Sequence, residues 1–367
     1  MFAVAAPGSL DITDSQNSTS GPKINPSHAK SGVLATHDAF GAHDTPGELD
    51  RKHEVIASTN IFGALRGVGR RAGTMAAPRP TVKYACNNFY QSIASHHVDA
   101  PHETPHLYEL RQFAPQLIRP NDVVFVKTDF LAVFLDNLRQ FISSPFHLVT
   151  GHSDATPSEE AIQRVLSDPL VISWRAQNTP IEAFKLTALP MGLPEPTRSF
   201  GDQSTVAAAA ATAQFRTKRP ALAVPACLPT HPLRSMASAA VEALSARAEF
   251  KGMIAIAPER ATLSHYLDFL AGYEYALCVR GNAIDCHRVY EAILVRTVPV
   301  YVGTVIPAFY NRLPVIVIQI NDNAGSEDVE AALARFLADV VEGRAPPLPS
   351  SAEWDRYAAL LEARPAR

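Results

Sequence analysis

Short apolar runs, each closed by polar residues, Gly or Pro, alternate with helix-patterned stretches from about residue 84 onward. No other feature of the sequence restricts the fold as much. The first series is "DVVFVKTDF", "FHLVTGHSD", "LVISWRAQN" and "KLTALPMGL", with the helical stretches "LAVFLDNLRQFI" and "SEEAIQRVLSD" between them. Strands alternating with helices predict a mainly parallel sheet covered on both faces. In such sheets the polar residues just past the strand ends gather at the ligand-binding edge. Thr128, Asp129, His152, Asp154, Gln177 and Asn178 hold those positions.

"FGDQSTVAAAAATAQFRTKRP" reads as a linker merging into an Ala-rich helix. A second series follows, with strands "PALAVPACL", "GMIAIAP", "EYALCVRG", "TVPVYVG" and "PVIVIQI". Its helices are "HPLRSMASAAVEALSARAEF", "LSHYLDFLAG", "HRVYEAILVR" and "SEDVEAALARFLADVVEG". No repeat with a period of about 20 to 50 residues is visible. The pattern therefore predicts two α/β domains, 81–205 and 206–345, facing across a cleft, with a C-terminal helix and tail over 346–367. Residues 1–80 are rich in Ser, Thr, Asn, Gly, His and Ala without sustained periodicity, and read as a disordered tail. Within them "EVIASTNIFGALRGVG" is an isolated candidate helix.

Composition excludes several classes of function. The 367 residues are 47% hydrophobic and 19% charged, ordinary globular values with ample material for a large core. A net charge of −3 offers no basic excess for nucleic acid or an anionic membrane. Four cysteines (Cys86, Cys227, Cys278 and Cys286) are too few for a disulfide scaffold, and no CxxC pair occurs. The spacing of Cys278 and Cys286 permits a pair without demanding one. No apolar run approaches the ~20 residues of a membrane span. The start, "MFAVAAPGSLDITDS", has no basic n-region, so the chain reads as soluble. A sequon at Asn17 matters only in a secretory setting.

The densest chemistry lies in "VRGNAIDCHRVYEAILVRTVPVYV", Val279 to Val302. It reads as strand, polar loop, helix and strand, a βαβ unit whose loop opens at the strand's carboxyl end. Arg288 falls in the first helical turn, where free amides and the helix dipole already favour an anion and a guanidinium adds a bidentate clamp. Glu291, one turn on, cannot help a phosphate but can accept hydrogen bonds from vicinal hydroxyls such as those of a ribose. Three competing readings stand beside this one. A metal site would draw on Asp285, Cys286 and His287, but consecutive residues rarely converge on one ion. Cys286 at a helix N-terminus is a weak candidate nucleophile. In the plainest reading Arg288 and Glu291 form an intrahelical ion pair and Cys286 fills core space.

This stretch resembles the donor-site segment of exostosin-like glycosyltransferases, which have the two-domain GT-B fold. The resemblance rests on Gly281, Asn282, Asp285, His287, Arg288, Glu291, Ala292 and Pro299. The chain departs from that pattern at Ala283, where the family has a second Gly and a negative φ is now required, and at Arg296-Thr297, where a small Gly is usual. "VVFVKTDFLAVFL", "FHLVTGHSD", "ISWRAQNTPIEAFKLTALPMGL" and "IPAFYNRLPVIVI" are similar to other segments of the family, so the likeness runs in patches from Tyr84 to Asn323.

The resemblance implies a sugar-nucleotide donor, with a UDP-sugar foremost, bound by the second domain, and a glycan or glycoprotein acceptor on the first. In that scheme Arg288 stabilises the departing diphosphate, Glu291 holds the ribose, and Gly281, Asn282, Asp285 and His287 surround the donor. An inverting transfer of this kind implies no cofactor and no metal ion, because cationic side chains neutralise the leaving group. It does need a general base. Asp154 and His152 are the catalytic candidates, though Asp154 is equally suited to capping the helix at "TPSEEAI". Asp129 and Asn178 are candidates for the acceptor side of the cleft. Arg234 is a candidate second phosphate contact, with a surface arginine the plainer reading.

Two alternatives remain open. One is a catalytically inactive GT-B-like protein that binds sugar nucleotides or serves as a scaffold. The other is an epimerase-type nucleotide enzyme, which ranks last because no GxGxxG follows the first strand. The compartment is left open: soluble as read, Golgi or secretory if family-like with an incomplete N-terminus.

Overall fold

Among the described residues ten strands form two parallel sheets of five, each wrapped by its own helices. The structure, a computed structural model, describes residues 82–99, 113–258 and 261–363, all within one unit spanning Arg70–Arg367. The tail expected over residues 1–80, and the candidate helix within it at 54–69, lie outside the described residues.

The first sheet runs β1 (His96–Val98), β2 (Asp122–Lys127), β3 (Phe146–Gly151), β4 (Val171–Ala176) and β5 (Leu186–Ala188) in simple chain order. Its helices are α1 (Asn87–Ser92) and α2 (Glu159–Ser167). The stretch expected as helical, "LAVFLDNLRQFI", is helical over 131–141 but changes its winding, from α over Leu131–Val133 to π over Phe134–Leu138 and 3-10 over Arg139–Phe141. α2 begins at Ser158, whose hydroxyl accepts from the Ala161 amide at 3.2 Å.

The second sheet has the order β10 (Ile316–Gln319), β9 (Val298–Gly303), β8 (Tyr273–Val279), β6 (Arg219–Val224), β7 (Ile254–Ile256). The chain moves outward from β6 to β7, then crosses back to β8 on the other side of β6. The crevice between β6 and β8 is thus a topological switch point, where loops diverge and leave room for a ligand. The first sheet has no such reversal.

Helices α3 (Gln203–Ala213), α4 (Pro232–Ser245), α5 (Leu263–Ala271), α6 (His287–Leu294) and α7 (Ser326–Val341) cover the second sheet. α8 (Ser351–Leu360) packs on α6. Residues on both faces of β8 and β9 are buried, which explains why those strands read as unbroken apolar runs rather than alternating ones. Tyr290, Tyr301 and Leu222 are among the largest fully buried side chains of this core. Each such burial removes about 1.5–3 kcal/mol of exposed apolar cost.

The two sheets do not hang from a free linker. Tyr84, Ala188, Met191 and Leu193, from the first half, pack into the core of the second. The Ala308 amide donates to the Thr179 carbonyl at 2.9 Å, and Arg312 pairs with Glu182 at 2.5 Å. The segment before α1 is tied to the segment after α8: the Ala85 amide donates to Leu361 O at 2.8 Å, and the Ala363 amide to Lys83 O at 3.0 Å. Among the described residues no helix is long and apolar enough to cross a membrane.

The two sequence departures resolve differently. Ala283 is not among the residues with positive φ, so its side chain is tolerated. Arg296, by contrast, takes a left-handed conformation with φ 58°. It follows the C-cap of α6: its amide donates to Ile293 O at 2.9 Å and the Thr297 amide to Ala292 O at 2.9 Å. This pair of bonds closes a helix in the Schellman manner, and a residue with a Cβ is strained there. The Arg296 side chain reaches Asp355 on α8 at 2.7 Å. Arg296→Gly and Arg296→Ala both lose that contact, so the difference between them reads the backbone alone. Arg296→Gly is expected to be the more stable by about 1 kcal/mol in denaturant melts; the opposite order would contradict the left-handed geometry.

Candidate functional site

A cavity of about 550 Å³ opens at the β6–β8 switch point. The loop after β6 supplies Ala226, Leu228 and Thr230, and α4 supplies Arg234. The loop after β8 and the start of α6 supply Gly281, Asn282, Ala283, Asp285, Cys286, His287, Arg288 and Glu291. The first half contributes Asp154 from beyond β3 and Met191 from beyond β5, while the joining segment adds Arg198 and Phe200. Every residue expected to surround a donor therefore borders this one space, and so does Asp154. His152, Asp129 and Asn178 do not.

Arg288 lies in the first turn of α6. Its Nη1 donates to Cys227 Sγ at 2.8 Å and its Nη2 to the Ala226 carbonyl at 2.9 Å, while its buried Nε has no partner. Arg234 is held in the same manner, by the Arg280 carbonyl at 3.1 Å and the Leu228 carbonyl at 3.2 Å. Among the described residues neither arginine is in an ion pair, so the Arg288–Glu291 intrahelical pair is absent. Two guanidiniums oriented by neutral acceptors keep their charge available to an anion. Gly281 is what lets Arg234 come so near: a Cβ there would sit 2.8 Å from Arg234 Nη2. Cys286, the cap residue of α6, makes no side-chain bond to the first turn, which leaves amides there for another acceptor.

Glu291 is buried and accepts from the Tyr266 hydroxyl at 2.7 Å. Burial, reinforced by the nearby Glu291 charge, pushes the Tyr266 phenol well above its usual pKa, so it remains a donor. That bond engages Oε2 and aims the carboxylate. His287 is fixed by the Gly192 carbonyl, 2.7 Å from its Nδ1. A carbonyl only accepts, so Nδ1 carries the proton and Nε2 is the acceptor in the neutral ring.

Asp285 departs from its expected role. Its Oδ1 accepts from the Tyr310 hydroxyl at 2.7 Å and the Cys286 amide at 2.6 Å. Its Oδ2 accepts from the Tyr290 hydroxyl at 2.5 Å and the Met191 amide at 2.8 Å. A carboxylate has about four acceptor sites, and protein donors fill them. Asp285 touches the cavity but works as a rivet between the two halves. Burial and then the Asp285 charge raise the Tyr290 and Tyr310 phenols well above their usual range, which keeps both as donors.

Asn178, expected on the acceptor side, is buried in the same junction with φ 53°. Its Nδ2 donates to Ser153 O at 2.7 Å, and its Oδ1 accepts from the Asp285 amide at 3.2 Å. Asp129 is held by Ser153 Oγ at 2.8 Å and Lys127 Nζ at 3.2 Å, away from the cavity. His152, also left-handed at φ 56°, has Gln91 Nε2 at 2.8 Å and Asp99 Oδ2 at 3.3 Å from its Nδ1. Its Nε2 is 3.8 Å from Glu195 Oε1. His152 thus cross-links α1, the segment after β1 and the joining segment.

Asp154 differs from all three. It is exposed, Ser158 takes the capping role instead, and among the described residues no hydrogen bond or ion pair engages its carboxylate.

Burial raises the pKa of Cys286 and Cys278, and all four cysteines are free, so Cys286 is a core thiol rather than an activated nucleophile. Among the described residues no three His, Cys, Asp or Glu side chains converge as a metal centre requires. Tyr266, Phe200, Arg198 and Cys227 border or support the site without having been singled out in the sequence. Tyr266 reads there as one more apolar position of a helix, and its partner Glu291 is 25 residues away.

No family model matches the chain, and no curated protein does. Among solved structures it is similar to an α,α-trehalose 6-phosphate synthase from Burkholderia multivorans, with a TM-score of 0.40 and 13% identity over 74% of this chain and 70% of that one. Likeness at this level leaves the family unassigned, and the reading of the site rests on its own geometry.

Replacing Asp285 strands two tyrosine hydroxyls and two amides in the interior. Asp285→Ala is expected to lose at least about 3 kcal/mol of unfolding free energy, and Asp285→Asn less, since one acceptor oxygen remains. Denaturant titration reads both; a loss under about 1 kcal/mol for Asp285→Ala would contradict the rivet.

Proposed function

We propose that this chain is a glycosyltransferase that moves a sugar from a nucleoside-diphosphate donor to a hydroxyl acceptor, in the manner of the exostosin-like enzymes its β8–β9 segment resembles. One observation carries the reading. A guanidinium and a carboxylate, one turn apart on α6, both border the cavity, and among the described residues they bond to other groups and not to each other. If they neutralised each other, neither would be free to recognise a ligand.

The diphosphate lies across the start of α6, against the amides of its first turn, with Arg288 and Arg234 on its oxygens. Glu291, aimed by Tyr266, accepts hydrogen bonds from the ribose hydroxyls. As the bond between the sugar's anomeric carbon and the diphosphate breaks, negative charge grows on the leaving oxygen. The two guanidiniums stabilise that charge more than they stabilise the bound donor, which lowers the barrier. The acceptor enters from the side of Asp154, whose unengaged carboxylate takes the hydroxyl proton as the new carbon–oxygen bond forms. His287 borders the same space, where its Nε2 accepts from a sugar or acceptor hydroxyl.

UDP- and GDP-sugars are the donors to screen, with a CMP-sugar, which has no diphosphate, as the contrast, by thermal shift and then by turnover. Arg288→Ala is expected to weaken nucleoside-diphosphate binding by about 1.5–3 kcal/mol in calorimetry; an unchanged affinity in the folded variant would remove the donor site from α6. Asp154→Asn is expected to keep donor affinity and lose about 10²- to 10⁴-fold in turnover. Binding with no turnover by the unaltered protein would instead mark a sugar-nucleotide-binding protein without catalysis.

A further inference from the structure

We infer that Phe200, on the segment joining the two sheets, is the stacking face for the nucleobase of the donor and so takes part in choosing it. This rests on the nucleotide-sugar reading above and adds to it a subsite outside the βαβ unit.

Phe200 is an exposed aromatic in the cavity wall, 42% accessible, where large apolar side chains are usually covered. Leu228, at 74%, is a second uncovered apolar side chain bordering the same space, and Ala226 and Ala257 beside it are small. This wall has no use for a phosphate or a sugar, whose hydroxyls and charge need polar partners. A flat heteroaromatic ring suits it, because every base offers a π-face to an aromatic side chain.

The position relative to the ribose clamp fits as well. The Phe200 ring meets Tyr266 edge to face, with centroids 6.3 Å apart and planes at 84°. Tyr266 in turn donates to Glu291. Phe200 is therefore one side chain removed from the carboxylate assigned to the ribose. A base on Phe200 is thus next to a ribose on Glu291, as the covalent order of a nucleotide requires.

The ring is also held in place before any ligand arrives. Two successive tight turns carry the backbone, from the Arg198 amide to Glu195 O at 2.9 Å and from the Gly201 amide to Arg198 O at 2.9 Å. A Cβ at Gly201 would collide with Glu195 O at 1.8 Å, so only glycine allows the second turn. Asp202 then caps α3 through the Ser204 amide at 3.0 Å. Upstream, Glu195 is buried against Asn87 Nδ2 at 2.8 Å and Arg198 Nε at 2.7 Å. Burial works against the Glu195 charge, yet the Asn87 amide, its own backbone N–H and the Arg198 charge hold its pKa below the usual value. An anchored ring loses little freedom on binding, which favours affinity.

The test compares UDP, ADP and inorganic pyrophosphate as probes, by calorimetry, on the unaltered protein and on Phe200→Ala, Phe200→Leu and Phe200→Trp. Phe200→Ala and Phe200→Leu are expected to weaken the best nucleoside diphosphate roughly tenfold and to leave pyrophosphate unchanged. Phe200→Trp is expected to restore affinity. Its new indole should be quenched on nucleotide addition but not by pyrophosphate, against a background in which Trp174 and Trp354 are buried. Nucleotide affinity unaffected by Phe200→Ala would overturn the stacking subsite while leaving the donor site standing. Equal weakening of pyrophosphate would overturn it too, by showing that Phe200 acts through the fold. If the unaltered protein binds no nucleoside diphosphate, the nucleotide reading itself falls, and this subsite with it.

Discussion

Four donors converge on the Asp285 carboxylate, and one of them, the Met191 amide, comes from the other half of the molecule. The Asp285 amide in turn reaches back to Asn178 in the first half. A buried carboxylate is costly unless its acceptor sites are filled, and filling them here requires both sheets to sit where they do. The same contact fixes the start of α6, because Asp285 immediately precedes its cap residue. Register between the halves and orientation of the candidate phosphate site are therefore set by one group.

What that placement achieves is electrostatic. Arg288 and Arg234 are brought to the switch point of the second sheet and oriented by carbonyls and a thiol instead of carboxylates. An arginine satisfied by an acid is a structural element; one satisfied by neutral groups retains a full charge for a visitor. Glu291 is managed in the complementary way, aimed by a phenol that burial keeps protonated. Cation and anion on one helix face thus remain separately usable. That separation is what a ligand with phosphates at one end and hydroxyls beside them requires.

Much of this was legible in the sequence, and the reasons for the rest are physical. Nine of the strands announced themselves as apolar runs, most clearly β8 and β9, which are buried on both faces and so do not alternate. β1 escaped because two of its three residues, His96 and His97, are polar and leave no apolar run to read. The stretch from Leu131 to Phe141 is helical as read, but its change of winding from α to π to 3-10 is not something propensity encodes. At the site, the spacing of Arg288 and Glu291 was readable because a helix fixes which residues share a face. The role of Asp285 was not, because its partners Met191, Tyr290 and Tyr310 lie at unrelated distances along the chain. Asn178, Asp129 and His152 sat correctly at strand ends, yet strand-end position says nothing about whether a side chain faces the cavity or a neighbouring loop. Asp154 and His152, two residues apart, went opposite ways for that reason.

The most direct test is a crystal structure with a nucleoside diphosphate bound. The account requires phosphate oxygens on the Arg288 guanidinium and the first-turn amides of α6, with a ribose hydroxyl donating to Glu291. A nucleotide seated elsewhere, with Arg288 still bonded only to Cys227 and Ala226 and Glu291 only to Tyr266, would contradict it.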